Sequence, residues 1–406
     1  MFRLRRSLAT SLIVMTSRRG RLALPAAALA LIAGASLTLA PTTAAAPSPI
    51  VIAVEGPLTG SQSEVGIDMY RGVKLAADQV NAKGGVLGRQ ISVIKADDKA
   101  NPDLALSVAK KAKAAGAVAV IGPYNSSVGL LNLPYYVSNK VVPVQLTSTD
   151  DTTGEGVTIQ PKNSQISPVE TNYMIFGYGY SGCPKVVMLV DPSAYTAGMA
   201  ARVGKAMMCG DGVPVSQIAI TPGQADYTAQ VASALALSPN IVYVSTYYPE
   251  GSKIATALGA AKSTAKCFMG LANVDPAFVT AAGIPASQAC RFSGVPEAAQ
   301  MPSASAYVTA YKKAFNAQPG VWGTFTYDSA NILFAAMTKS KSTDYAAVMK
   351  KLLATKGFAG QTGTITIDPK TGNRPNAPVY ILKVDKSGAF IVDTSACLKS
   401  SCVVPD

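Results

Sequence analysis

The sequence predicts an α/β fold of two domains, each built around a parallel sheet. Three observations carry that prediction: strand-length apolar runs alternate with helical stretches, caps and breakers stand at the joints, and the chain is longer than one core usually serves. In order, the apolar runs are Ile50–Val54, Ile91–Ile94, Val118–Ile121, Val141–Leu146, Lys185–Val190, Ser216–Ile220, Ile241–Ser245 and Cys267–Met269. Strand-length runs spaced by helices read as βαβ units.

The intervening stretches have helical signatures. Ile67, Tyr70, Val73, Leu75, Ala77 and Val80 fall mostly along one helical face, and Gly84-Gly85 ends that run as a C-terminal cap. Asn101-Pro102-Asp103 opens the next helix with a cap residue and a first-turn proline. A long polar stretch, Thr147–Ser167, separates the first set of units from the second and is predicted to be a crossing between domains. The tail departs from this rhythm: Gln361–Asp368 alternates, Asp368–Asn373 is a turn cluster, and Val379–Val384 is strand-like, which predicts a terminal hairpin near the junction.

The first 46 residues have the form of an export signal: arginines at 3, 5, 6, 18, 19 and 21, an apolar run from Leu22 to about Leu39, and Ala44-Ala45-Ala46 as a cleavage site. Ser17–Leu22 loosely matches a twin-arginine signal, with Arg21 where an apolar residue is usual. No cysteine precedes Cys183, so an N-terminal lipid-anchor cysteine is not expected and an exported, soluble protein is. The net charge is +13; six arginines and no acid lie in the leader, so the remainder carries +7. Its lysines are dispersed, as in Lys110-Lys111-Ala112-Lys113, without aromatic interleaving, which argues against a nucleic-acid partner.

Cys183, Cys209, Cys267, Cys290, Cys397 and Cys402 form an even set suited to disulfides in an oxidising compartment. Fifteen connectivities are open. Sequential pairing is favoured because Cys183 and Cys209 bracket one strand–helix unit and Cys267 and Cys290 each open a predicted strand. The chain has no histidine and no C-x-x-C, so neither a metal nor another cofactor is expected.

Two motif matches lose their force in context. Gly177–Gly182 fits G-x-G-x-x-G, but a helical stretch precedes it and a strand follows, the reverse of the order that aims a helix N-terminus at a pyrophosphate. Ser107/Lys110, Ser238-Pro239-Asn240 and Lys370-Thr371-Gly372 mimic the elements of a serine acyltransferase, yet they read as a helix surface, a cap and a turn. Without histidine, a Ser-His-Asp triad or Cys-His pair is excluded, and no enzyme is expected.

From Ile50 onward the chain resembles the leucine/isoleucine/valine-binding protein family of type I periplasmic binding proteins, including amide- and urea-binding relatives. The residues that carry this are Gly56-Pro57-Leu58-Thr59-Gly60, Arg71-Gly72, Val80–Val86, Gly88-Arg89, Asp97-Asp98 with Asn101-Pro102, and Val120–Pro123. Further on, Tyr195 follows Leu189-Val190-Asp191, Tyr247–Glu250 follows a strand, and Tyr327–Ala330 opens a late helix. The resemblance implies two Rossmann-like lobes joined by three crossings: residues 48–165 with 298–358, and 166–297 with 359–406.

It also implies a monomeric, extracytoplasmic solute-binding protein that closes on a small amino acid, amide or carboxylate and hands it to ABC permease subunits. The ligand-binding residues it implies are Ser126, Ser148 and Thr149 on the first lobe, with Thr147 as a fallback, and Tyr195 and Tyr247 on the second. An acidic partner for a ligand ammonium is expected just after Phe268-Met269-Gly270, where this chain has Leu271-Ala272-Asn273. Either the solute lacks an α-ammonium, or Glu55, Asp150 or Asp191 substitutes. Two rival functions follow from the same residues: a sensory module for a membrane partner, and the acyltransferase above.

Overall fold

Why a parallel sheet forms is visible in the first strand. In the computed structural model, which describes residues 47–208 and 215–394, β1 (Ile50–Gly56) is apolar at nearly every position. Ile50, Ile52 and Val54 enter one core cluster and Ala53 another. A strand with no polar face needs cover on both sides, and βαβ helices supply it. Helix α1 (Ser63–Asn81) covers the first face with Val65, Met69, Val73 and Ala76. On the other face lies α2 (Ala105–Ala114), which follows β2 (Ile91–Asp97) after a turn in which the Asn101 side chain accepts the Asp103 N–H. With β3 (Ala117–Ile121), α3 (Ser126–Ser138) and β4 (Val142–Val144), a parallel sheet of order β2-β1-β3-β4 is complete.

Strand β4 is shorter than the predicted Val141–Leu146 run. The Gln145 N–H turns to Val157 O and the Leu146 N–H to Pro123 O, so both residues leave the ladder. The polar stretch that follows carries only a 3₁₀ turn, Asp150–Thr152, before α4 (Asn163–Asn172) and a π-helical turn at Tyr173–Gly177.

The second sheet is built from β5 (Val186–Val190), α5 (Ala194–Met207), β6 (Ser216–Ala219), α6 (Thr228–Ala236), β7 (Ile241–Ser245), α7 (Tyr248–Ala260), β8 (Lys266–Met269), α8 (Pro276–Ala282), α9 (Ile284–Gln288) and β9 (Cys290–Gly294). The chain then returns to the first sheet as α10 (Ser305–Phe315), α11 (Val321–Ser340) and α12 (Tyr345–Leu353). Asp68 of α1 fixes that return by accepting the Gly320 and Gly323 N–H groups and the Tyr311 hydroxyl. Strands β10 (Phe358–Gly360) and β11 (Gly363–Ile365) form a small hairpin; β12 (Tyr380–Val384) and β13 (Phe390–Val392) extend the second sheet, of order β13-β12-β9-β8-β7-β5-β6. The chain therefore passes between the sheets three times, at residues 147–163, 295–304 and 366–379, and the first and third passages touch through a Thr158–Asn373 bridge.

The tail corrects the expected terminal hairpin. The 363–365 strand pairs with β10, whereas β12 runs antiparallel to both β9 and β13, so the two predicted strands lie in different hairpins. The turn between them holds: the Thr371 hydroxyl and the Lys370 N–H donate to the Asp368 carboxylate. A disulfide joins Cys267 and Cys290, which are also register partners across β8 and β9. Cys183 is disulfide-bonded as well. Cys209, Cys397, Cys402 and the leader lie outside the described residues.

Gly177–Gly182 does follow a helix and precede β5. The Ser107 hydroxyl, on α2, is bonded to Leu104 O. Among the described residues no helix is long and apolar enough to cross a membrane, and no cluster of side chains could hold a metal.

Candidate ligand-binding cleft

In open parallel sheets, loops at the carboxyl ends of strands and the helix N-termini that follow them collect on one side. Here those ends from both sheets face a shared cavity, with about 210 Å³ of space between protein atoms, solvent at its mouth included. Its wall contains Ser126 and Ser148, the rings of Tyr124, Tyr195, Tyr247 and Trp322, and the apolar side chains of Leu146, Leu271 and Ala272. Ser126 is the first residue of α3, Tyr195 the second of α5, Tyr247 caps α7, and Trp322 is the second residue of α11.

On the first-sheet side, the loop after β3 needs Gly122: its φ is +113° and a Cβ there would collide with the Glu55 carbonyl. That loop delivers the Ser126 hydroxyl, which accepts the Thr149 N–H at 3.2 Å. Residues 146–149 are held from behind by residues 160–163. Gln160 Nε2 donates to Leu146 O and to Ser148 Oγ, Lys162 Nζ donates to Thr147 O (3.0 Å) and Thr149 O (3.1 Å), and the Asn163 N–H donates to Ser148 O (2.7 Å). Four consecutive carbonyls are thereby tied away from the cavity. Lys162 is buried, and desolvation pulls its pKa down to about 7 against the opposing pull of Asp150 and Asp151.

On the second-sheet side the wall is aromatic. Tyr195 and Tyr247 have ring centroids 5.8 Å apart, Tyr247 meets Tyr124 edge-on at 5.8 Å, and Tyr124 meets Trp322 at 4.8 Å. Burial raises the pKa of each of these phenols, so all stay protonated donors at neutral pH. Behind Tyr195 lies Glu170, which accepts the Tyr243 hydroxyl (2.8 Å) and the Ser293 hydroxyl (2.5 Å). Burial lifts its carboxyl to about 7, against those two hydrogen bonds. A Cβ at Gly270 would sit 3.1 Å from Tyr195 Oη and 3.6 Å from Glu170 Oε1, so a side chain here would crowd the Tyr195 hydroxyl.

The two sides touch around the cavity. The Ala194 N–H at the start of α5 donates to Ser127 Oγ at the start of α3 (2.9 Å), the Tyr248 hydroxyl donates to Ser61 O (2.8 Å), and Arg202 pairs with Asp150 (2.8 Å).

Of the residues singled out from the sequence, Ser126, Ser148, Tyr195 and Tyr247 line this one cavity. Thr149 and the fallback Thr147 do not: the Thr149 hydroxyl turns to Asp151, and that of Thr147 bonds Gln145. Leu271 and Ala272 stand in the wall where an acid was expected. The proposed substitutes lie elsewhere. Glu55 is buried against Asn132 and Tyr136, Asp150 holds Arg202 and Ser164, and Asp191, next to Tyr247 but outside the wall, holds Ser193 and Thr196 through its Oδ1. Tyr124, Leu146 and Trp322 were not anticipated; the one available signal was that Trp322 is the sole tryptophan of the chain.

Comparison with known proteins gives the same outline. A family model described as periplasmic binding protein matches residues 49–389. The Leu/Ile/Val-binding protein BraC3 of Rhizobium johnstonii is 29% identical over 340 residues, covering 82% of this chain and 90% of that one. A leucine-binding protein LivK from Thermotoga maritima superposes with a TM-score of 0.77 at 23% identity, over 85% of this chain and 97% of the other. A solute-binding protein of an ABC transporter from Rhodopseudomonas palustris, in complex with 3,4-dihydroxybenzoic acid, gives 0.75 at 22% identity, over 84% and 95%.

Proposed function

The chain belongs to the periplasmic binding protein family, and from that premise we propose that it is the extracytoplasmic receptor of an ABC importer. It captures a small amino acid, or a related carboxylate or amide, between two lobes and delivers it to permease subunits. The first-sheet lobe is residues 48–165 with 298–365, a later end than the sequence predicted because the Gln361 and Thr362 N–H groups donate to Asp328 of α11; the second-sheet lobe is 166–297 with 366–394. One observation carries the reading: Ser126 and Ser148 from one side and Tyr195 and Tyr247 from the other line a single cavity between the two sheets.

The mechanism follows from that division of labour. Ser126, the Ser148 hydroxyl and the N–H groups at the α3 N-terminus offer hydrogen bonds and a positive dipole end to an acceptor on the solute. Tyr195 and Tyr247 then cover it, their rings excluding water and the Tyr195 hydroxyl remaining free to donate. Closure makes and breaks no covalent bond.

Trp322 in the cavity wall is the only tryptophan, so its fluorescence is a direct reporter. Titrating the exported protein with branched-chain amino acids and small carboxylates is expected to change that fluorescence saturably with at least one solute. Tyr247→Ala should weaken the response. A response that the substitution leaves untouched would place binding elsewhere and contradict the reading.

A further inference from the structure

Building on the capture reading above, we infer that the solute is a small carboxylate with an apolar body and no ammonium group. The first support is the composition of the wall: it has two serine hydroxyls and otherwise rings and apolar side chains, with no charged residue. Leu271 and Ala272 are 2% and 5% exposed, so an ammonium placed against them would meet buried apolar surface. Of the neighbouring acids, none of which is in the wall, Glu170 is committed to Tyr243 and Ser293, Asp275 caps the Ala277 N–H, and Asp191 spends its Oδ1 on Ser193 and Thr196 and has only its Oδ2 left over.

The second support is the direction of the field. Helices α3, α5 and α7, of 13, 14 and 13 residues, all begin at the cavity. Their positive ends favour an anion and oppose a cation. Lys162 adds a buried amine behind the serine wall, bonded to the carbonyls of Thr147 and Thr149.

The third is an unanswered donor. The Tyr195 hydroxyl lines the cavity in a residue 5% exposed and has no well-formed hydrogen bond; the nearby Ala272 backbone only partly offsets its burial. A buried hydroxyl without a partner is costly unless a ligand acceptor arrives.

The rings could hold an ammonium by cation–π contact, but magnitudes decide against it. Such contact with one desolvated ring returns roughly thirtyfold in affinity, whereas a buried ion without a partner loses roughly a hundredfold to a thousandfold or more. The same rings cover an aliphatic or aromatic body without any such loss.

The test uses matched pairs that differ in the ammonium alone: L-leucine against 4-methylpentanoate, and L-phenylalanine against 3-phenylpropanoate. They are titrated calorimetrically into protein dialysed free of solute, while solute extracted from natively purified protein is identified by mass spectrometry. The ammonium-free member of at least one pair is expected to bind at least a hundredfold more tightly than its amino acid. An amino acid that binds as well as or better than its partner overturns the inference and leaves the capture reading standing. If neither pair binds, an extracted solute that is an ammonium-free carboxylate supports the inference, and one with an ammonium or without a carboxylate overturns it. No solute by either route overturns the capture reading itself.

Discussion

The two walls of the cleft are held in opposite ways. The serine wall sits on a buried base, Lys162, that gathers main-chain carbonyls; the aromatic wall sits on a buried acid, Glu170, that gathers hydroxyls. Tying carbonyls backwards leaves the Ser126 and Ser148 hydroxyls as the polar side chains of the serine wall. Tying Tyr243 and Ser293 backwards leaves the aromatic wall with rings and the Tyr195 hydroxyl facing forward. The walls differ in covalent support too, since no cysteine precedes Cys183, while Cys267–Cys290 staples two strands under the aromatic wall. The contrast teaches that one side is held by its main chain and presents hydroxyls while the other presents rings, which on the proposed reading suits a polar end and an apolar body of the solute.

Breaking the staple should have the largest effect. Replacing Cys267 and Cys290 with alanine frees a 23-residue separation and is expected to cost about 3 kcal/mol in chemical unfolding. That loss should appear first in hydrogen exchange of β8 and β9, with the first sheet protected; equal loss in both sheets would erase the contrast.

Lys162→Met attacks the other wall. It strips two buried carbonyls of their donor, for a loss of about 2 kcal/mol in stability, and anion affinity should fall at least tenfold. Unchanged affinity would mean that the Leu146–Thr149 loop does not need this amine. Tyr247→Ala removes ring contacts with Tyr124 and Tyr195 and is expected to weaken solute binding by about 2 kcal/mol in the calorimeter. Ser126→Ala, which deletes a hydroxyl and the acceptor for the Thr149 N–H, should weaken it by about 1 kcal/mol.

The smallest effect is on pH. Glu170, Asp98 and Asp275 have folded values raised to about 7, chiefly by burial. A group with a raised folded pKa adds stability below its unfolded value and loses it as pH climbs through the folded one. Lys162, lowered to about 7, is protonated in both states over most of the interval below that and raises stability only above it. The melting temperature should therefore fall by a few degrees between pH 5 and pH 7, and Glu170→Gln should flatten that slope. A flat wild-type curve would contradict the assignment.

Much of this fold was legible because its signals are local. β1 reads as a strand from its own apolar run and α1 as a helix from its own face, and the caps at Gly84-Gly85 and Asn101 mark their joints. What local pattern does not carry is partnership. The alternation at 361–368 announces a strand but not that β10 is its mate, and Val379–Val384 does not reveal that it joins β9.

The site divides the same way. Ser126, Ser148, Tyr195 and Tyr247 were reachable through a resemblance, since each stands just past a strand that the sequence declares. Trp322 reaches the cavity only because the chain returns to the first sheet after β9. Lys162, in the polar run Pro161-Lys162-Asn163, reads as a surface residue until the carbonyls around it are assembled.

The account rests on hinged closure of the two walls over a solute. Small-angle scattering of the exported protein, first stripped of solute and then recombined with what it released, tests this most directly. A smaller radius of gyration on recombination is the predicted result. An identical radius in both states would contradict the account.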